Sequence, residues 1–119
     1  MSAWRELKTI QTKEKLNNVF RIGEPGPGGA YHDYAVTVGE RGDVIRFQKG
    51  PRKDPEARHG VLDVDLLEIV RDRLTCFQAG KYACSYNQEA LEHVEAALHA
   101  LNQRVEDRIA RGVLGKNEK

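Results

Sequence analysis

Cysteine and serine are scarce in this chain, and long apolar runs are missing. The two cysteines, Cys76 and Cys84, flank a predicted helix–helix turn. The first ten residues carry Arg5, Glu6 and Lys8 instead of an apolar run, so the sequence predicts no secretory signal. No stretch reaches the length of a transmembrane helix. We therefore expect two reduced, half-buried thiols in a cytoplasmic protein that does not insert into a membrane.

The chain also lacks an excess of one charge sign. Its 119 residues hold 19 Lys and Arg against 18 Asp and Glu, a net charge of +1. General affinity for nucleic acid needs a dominant basic surface that neutralises phosphates, so we expect no DNA or RNA binding. With 39% apolar and 31% charged residues, residues 1–119 read as a single globular domain. A domain this small buries a modest core and gains stability by oligomerising.

Groups that carry catalysis are sparse as well. His93 and His99 are six residues apart and fall on different sides of a helix, without cysteine or carboxylate at zinc spacing. Of the two serines, Ser2 and Ser85, the second is better placed as a helix cap than as a nucleophile. The sequence predicts no metal, no cofactor and no enzyme, and nucleotide hydrolysis is the weakest of the alternatives.

Residues 14–49 predict a small antiparallel sheet of about three strands. Apolar residues alternate in the segments 16–22, 34–38 and 44–49. The tetrad Glu40-Arg41-Gly42-Asp43 is typical of a tight turn, so we expect the second and third strands to form a hairpin.

Two glycine- and proline-containing segments interrupt this pattern. Residues 23–29 read Gly-Glu-Pro-Gly-Pro-Gly-Gly, which neither a helix nor a strand interior accommodates. No Lys-Ser, Lys-Thr or helix follows them, as a phosphate-binding loop requires, so we interpret them as a connector. Residues 50–61 form a polar loop.

Residues 62–112 predict a helical hairpin, followed by a tail at 113–119. The first helix is about 17 residues long, with Asp65 and Glu68 at capping-box spacing (or Asp63 as the cap) and Gly80 just past its end. The second begins near Ser85, which forms a capping signature with Gln88 three residues on. It runs without a helix breaker for about 27 residues, or about 40 Å. The fold class is therefore α+β.

The first of the two predicted helices is too short to cover the whole of the second. The first covers the second only as far as about Leu101, yet the apolar stripe continues through Val105 and Ile109. The N-terminal segment with Trp4, the strands or a second subunit could cover it. We favour a twofold partner, because an isologous contact reuses one self-complementary surface.

Candidate binding groups lie at both ends of the second helix. Asn87 and Arg104 are seventeen residues apart, about 25 Å along a helix, too far to share one small ligand within one copy. Aromatic and amide groups, which suit a base, lie near Asn87. Guanidinium groups, which suit phosphates, cluster at the other end: Arg104, Arg108 and Arg111. Two antiparallel copies of the helix would unite these halves.

The same residues also allow a purely structural interpretation. The helical spacing of Phe77 is equally typical of a core residue. Arg104 and Arg108 are four residues apart and share a helix face, and Arg111 adjoins them. These arginines can instead pair in solvent with Glu106 and Asp107.

Short stretches along the second half match a known family: Phe47–Pro51, Gly60-Val61, Leu66–Val70, Arg73-Leu74, Phe77–Gly80, Ala83-Cys84, Asn87, Ala90-Leu91, Arg104, Arg108 and Arg111–Val113. Over residues 44–114 the chain resembles the first described class of phage Thoeris anti-defence proteins. These are sponges that sequester cyclic ADP-ribose isomers made by bacterial TIR-domain immune enzymes.

The resemblance implies specific roles for individual residues. In that family an aromatic residue and an arginine sandwich the adenine, an asparagine reads its edge, and a further arginine holds the pyrophosphate. In this sequence those roles fall, in that order, on Phe77, Arg104, Asn87 and Arg108. The resemblance adds Arg21 as a contact from the first strand and Arg52 as a residue of a second site.

The resemblance also implies an assembly and a function. The expected protein is a homodimer through the helices whose two sites each span both subunits. Some members of the family assemble further into a hexamer, a trimer of dimers, with a second site for cyclic oligonucleotides. In the host cytoplasm it would sequester a signal such as a glycocyclic ADP-ribose without degrading it. The alternative is a small phage protein that inhibits or scaffolds a host protein through its helical face.

Overall fold

The computed structural model of the chain describes residues 3–119, so Ser2 lies outside it. The described chain divides into two compact units. The sheet unit takes in the residues up to Arg52 together with Glu56–Val61. The hairpin unit takes in Lys53–Pro55 and Leu62–Lys119.

The sheet unit is an antiparallel meander whose four strands follow one another in chain order. The strands are β1 (Trp4–Glu6), β2 (Asn18–Ile22), β3 (Asp33–Val38) and β4 (Arg41–Arg46). The predicted antiparallel sheet is confirmed, but the expected number of about three strands is wrong. The missed strand, β1, has only three residues, two of them charged, and therefore shows no alternation. Only its pairing with β2 defines it.

The sheet unit contains one small buried residue and an aromatic pair that lies against a glycine. Ala35, on β3, is completely buried. The Trp4 ring lies 5.5 Å from that of Phe20, and a Cβ added at Gly42 would lie 3.3 Å from the indole. Such an aromatic pair contributes about 0.5–1.5 kcal/mol beyond its buried area. The indole thus reaches towards β4 because a glycine stands beneath it.

The turn between β3 and β4 differs from the predicted one. Val38 pairs with Arg41, so the turn consists of Gly39 and Glu40 and not of residues 40–43. Gly39 has a φ of 60°, and a positive φ at the first turn residue is typical of a type II′ hairpin, which favours glycine there. The polar residues Arg41 to Asp43 suggested a turn but belong to an exposed strand.

The predicted third strand over 44–49 is also displaced, because β4 ends at Arg46. Phe47 and Lys49 instead form isolated bridges with Val61 and Arg58. Arg58 fastens this returning segment to the sheet: its Nη2 donates to Asp33 Oδ1 at 2.8 Å and to the Phe47 carbonyl at 3.1 Å.

The first helix, α1, spans Asp63–Gln78, close to the predicted length. Its N-cap is Leu62, whose N–H donates to the Asp65 carboxylate at 2.8 Å. The predicted capping box between Asp65 and Glu68 is therefore wrong, since Asp65 lies three residues inside the helix. Gly80 follows the C-cap Ala79, as predicted.

The second helix, α2, is unbroken over Ser85–Ala110, which confirms the predicted long helix. Its N-cap is Cys84 and not the predicted Ser85: the Cys84 Sγ accepts the N–H of Asn87 at 3.5 Å. At the other end Gly112 has a φ of 71°, and the Gly112 and Val113 N–H groups donate to the Ile109 and Arg108 carbonyls. These are the two bonds of a Schellman motif.

The two helices form a hairpin with little interior. No residue of α1 is buried, and along α2 only Arg108 is. Ile69 and Ile109 remain 58% and 57% exposed. Within the described residues, neither helix is long and apolar enough to cross a bilayer.

Candidate ligand-binding site

The apex of the hairpin, where α1 ends and α2 begins, is held by one glutamine. Gln78 Oε1 accepts the N–H of Cys84 at 3.0 Å, and its Nε2 donates to Gln88 at 3.3 Å. The same side chain therefore bonds to the N-cap and to the first turn of α2. It fixes the geometry at which Phe77 and Asn87 are presented.

Phe77 lies in the last turn of α1 with 41% of its surface exposed. The Arg73 guanidinium carbon lies 5.6 Å from the ring centroid, within the range of a cation–π contact. An exposed ring at a helix end is available for stacking, which a fully packed core phenylalanine would not be.

Asn87 is the third residue of α2, and its N–H is satisfied by Cys84. Its side chain is half-buried and makes no hydrogen bond within residues 3–119. An amide carries both donors and an acceptor, which match the edge of adenine. The neighbouring N-terminus of a 26-residue helix adds partial positive charge.

Arg104 lies on the same helix, seventeen positions further on. Its side chain is exposed, and no ion pair or hydrogen bond joins it to another part of the chain that the structure describes. The separation of about 25 Å on a continuous helix, which the sequence predicts, is thus confirmed.

Arg108, four residues beyond Arg104, is in a different environment. Only 6% of it is exposed, because residues 113–119 fold back over it after Gly112. Its guanidinium donates to four backbone carbonyls of that segment: Val113 at 2.9 Å, Lys116 at 2.8 Å, Glu118 at 2.6 Å and Lys119 at 3.3 Å. The shared helix face expected for Arg104 and Arg108 therefore carries one open and one covered guanidinium.

Arg111 makes one of the ion pairs that the purely structural interpretation predicts. Its Nε donates to Asp107 at 3.0 Å, an exposed pair of the i, i+4 type. Its Nη2 donates to the Lys119 carbonyl at 2.9 Å. Such exposed pairs contribute little to stability.

The two remaining predicted residues belong to the sheet unit. Arg21, on β2, stacks with its guanidinium carbon 4.5 Å from the Tyr31 ring centroid, and its buried Nε has no hydrogen-bond partner within residues 3–119. Arg5 stands directly opposite on β1. Arg52 is exposed in the loop after β4.

A groove of about 450 Å³ lies between α1 and α2, away from the apex. Its walls carry the carboxylates of Asp65, Glu68 and Glu95, which disfavour a phosphate. Arg71 crosses it, bonded to Glu95 at 2.9 Å and to Glu68 at 3.3 Å. The hydrogen bond to Glu95 is the main cause that raises the pKa of Arg71, and Glu68 adds to it. We assign this groove a role in joining the helices.

Across residues 3–119, no group of three or more His, Cys, Asp or Glu side chains is arranged so that it could hold a metal ion. The groups at the two ends of α2 are instead a ring, an amide and guanidinium groups. At neutral pH these stack on a base and donate hydrogen bonds to anions.

Sequence reasoning missed three features of this site: the glutamine at the apex, the arginine beside Phe77, and the segment over Arg108. Phe77 follows Arg73 by four residues, so their helical spacing carried a usable signal. The bonds of Arg108 end on backbone carbonyls, which have no sequence signature.

The fold and these residues define a class: an α+β protein in which an antiparallel sheet precedes a helical hairpin with ligand-type groups at both ends of its longer helix. The Acb2/Tad1 hairpin-domain family matches residues 40–106, more than half of the chain. The chain belongs to that family.

A curated relative supports the assignment. The protein "Thoeris anti-defense 1" of Bacillus phage SBSphiJ7 is 40% identical over 76 residues. The match covers 64% of this chain and 53% of the relative, so the chain spans about half the relative's length. The resemblance to phage Thoeris anti-defence proteins is thus confirmed.

Proposed function

We propose that this protein is a phage anti-defence protein that binds a cyclic ADP-ribose-type immune signal inside the host cell. It holds the signal without degrading it and thereby blocks Thoeris immunity. The observation that carries the proposal is the placement of a half-open ring with an amide at one end of α2 and an unpaired guanidinium at the other. The similarity to a Thoeris anti-defence protein supports it.

The apex supplies the base-binding half of the proposed site. Adenine stacks on the Phe77 ring while the Asn87 amide bonds its edge. Stacking of a base on an aromatic side chain contributes about 1–3 kcal/mol. Asn87 suits the second role because its side-chain amide is not engaged elsewhere in the described chain.

The C-terminal end of α2 supplies the other half. The Arg104 guanidinium stacks on the free face of the adenine, which adds cation–π attraction. Arg108 donates to the pyrophosphate, since guanidinium groups form charge-assisted bonds with phosphate oxygens. Because the halves lie about 25 Å apart on one helix, two subunits must share each site.

A twofold dimer through the hairpins brings these halves together. The exposed side chains Ile69, Val70 and Ile109 give the hairpin unit an apolar surface that a second copy can cover. Antiparallel α2 helices place the apex of one protomer against the arginines of its partner, and symmetry generates two such sites.

Calorimetry of the purified protein against cyclic ADP-ribose and its glycocyclic isomers tests the ligand. We expect at least one isomer to bind, and Phe77→Ala to weaken it by about tenfold or more because stacking is lost. Ligand released by heat denaturation should be chemically unchanged. If no isomer gives heat, an inhibitor or scaffold of a host protein becomes the better explanation.

Mixing two weakened variants tests whether subunits share each site. As homodimers, Phe77→Ala and Arg104→Ala should each have no site of wild-type affinity. After the two are co-refolded, a heterodimer has one site with both residues intact and one with neither. About a quarter of the wild-type binding stoichiometry should therefore return. A mixture that stays inactive despite demonstrated heterodimers would show that each site lies within one subunit.

A further inference from the structure

Arg73 occupies one face of the Phe77 ring. Its guanidinium carbon lies 5.6 Å from the ring centroid, and the two residues are one helical turn apart on α1. Arg73 has no carboxylate partner within residues 3–119, whereas Arg71, two positions earlier, is held by two. Within residues 3–119, the partner of the Arg73 guanidinium is therefore the Phe77 ring.

We propose that Arg73 is a positioning residue for the base-binding half of the site, an inference that rests on the proposed function. It holds the Phe77 ring in one rotamer and leaves the opposite face for the base. Its positive charge beside the ring also adds to the attraction for an anionic ligand. Arg73 itself does not touch the base.

Calorimetry with glycocyclic ADP-ribose tests this role. Arg73→Ala should weaken binding about threefold to tenfold, and Arg73→Lys should restore part of the loss. The matched control is Lys81→Ala. Lys81 lies 5.3 Å from the Tyr82 ring, so this substitution removes the same charge near the apex. We expect that control to change affinity less than twofold.

A double-mutant cycle separates positioning from charge alone. In a Phe77→Leu background, which lacks the ring face, Arg73→Ala should cause no further loss. Equal losses in both backgrounds, or no effect of Arg73→Ala on a wild-type protein that binds, would overturn the role of Arg73. Failure of the wild-type protein to bind would instead count against the proposed function.

A second inference comes from the covered arginine at the other end of α2. Arg108 is a buried cation whose three shortest bonds, to Glu118, Lys116 and Val113, go to uncharged backbone carbonyls. Its fourth bond, at 3.3 Å, goes to the backbone oxygen of Lys119, and no Asp or Glu side chain pairs with it in the described chain. Buried charges are ordinarily paired with an opposite charge. The arrangement satisfies the donors of Arg108 without an Asp or Glu partner for its charge.

We infer that residues 113–119 form a latch over Arg108 that the phosphates of the ligand displace. Phosphate oxygens accept the same bonds and carry negative charge, so the exchange replaces mainly neutral acceptors with charged ones. The segment reverses at Gly112, whose φ of 71° permits the fold-back. A further bond, from the Lys53 N–H to the Gly115 carbonyl, is long at 3.3 Å.

Two measurements test the latch, again with glycocyclic ADP-ribose. A chain that ends at Gly112 and carries a C-terminal amide should bind about tenfold more tightly than the full chain, because the carbonyls of residues 113–119 no longer compete. In the full chain, a lysine-specific protease should cut faster after Lys116 when ligand is present.

A folded truncated chain with unchanged or weaker affinity would overturn the latch, and so would slower cleavage with ligand. If the truncated chain does not fold, the cleavage rate decides by itself. Both comparisons require that the wild-type chain binds, so a failed latch is distinguishable from a failed function.

Discussion

At the scale of single residues, position 60 requires glycine because other backbone atoms lie close to it, and not because of its backbone conformation. A Cβ at this position would lie 2.5 Å from the Arg46 carbonyl oxygen and 2.6 Å from the Phe47 carbonyl carbon. Both are backbone atoms, which cannot swing aside as a flexible side chain does. The returning loop approaches the end of β4 this closely because the residue has no side chain.

We expect Gly60→Ala to lower the free energy of unfolding by about 1–3 kcal/mol, as overpacking typically does. Gly28→Ala is the matched control, since nothing lies within 4 Å of its added Cβ. It should change stability by less than about 0.5 kcal/mol. Urea unfolding followed by circular dichroism measures both, and equal shifts would argue against the close approach.

At the scale of elements, α2 begins on an unusual cap. Serine, threonine, aspartate and asparagine are the common N-cap residues, because their oxygens accept backbone N–H groups well. Here the acceptor is the Cys84 sulfur, 3.5 Å from the Asn87 nitrogen. Sulfur is a weaker acceptor, so the cap is not optimised for stability.

Cys84→Ser should therefore raise the free energy of unfolding by about 0.5–1 kcal/mol. Cys76→Ser is the comparison, because Cys76 lies inside α1 and caps nothing. Both cysteines are exposed, so the expectation of half-buried thiols is wrong. The effect of Cys76→Ser should stay within about 0.5 kcal/mol. Chemical denaturation under reducing conditions provides the measurement. A gain from Cys76→Ser as large as that from Cys84→Ser would contradict the assignment.

At the scale of the whole molecule, the hairpin unit has many exposed apolar side chains and almost no interior. A pair of helices gains most of its stability from packing an amphipathic face, and this pair buries only part of one. The arrangement is typical of an obligate oligomer, whose folding and association are linked.

We expect analytical ultracentrifugation to find a dimer or a multiple of it at micromolar concentration. Ile109→Asp should shift the protein to monomers, because it places a charge within the apolar contact. Val44→Asp, which changes a 50% exposed residue of the sheet unit, should leave the dimer intact. A wild-type protein that sediments as a monomer would refute both the dimer and the shared site.

The sequence predicted the helices better than the strands, for physical reasons. The bounds of α2 follow from local signals, a regular apolar repeat and a glycine in the C-terminal cap. Strand β1 has no local signal, since three residues acquire meaning only by pairing with β2. The folding of residues 113–119 over Arg108 could not be predicted. The acceptors of the Arg108 hydrogen bonds are backbone oxygens, which every residue has.

The unbroken length of α2 sets the distance between the two halves of the proposed site. Each residue added or removed between Asn87 and Arg104 shifts their spacing by 1.5 Å and rotates one relative to the other by about 100°. In the proposed twofold assembly such a change of spacing would alter both shared sites at once, so neither could compensate for the other. During evolution this stretch should therefore accept substitutions but neither insertions nor deletions.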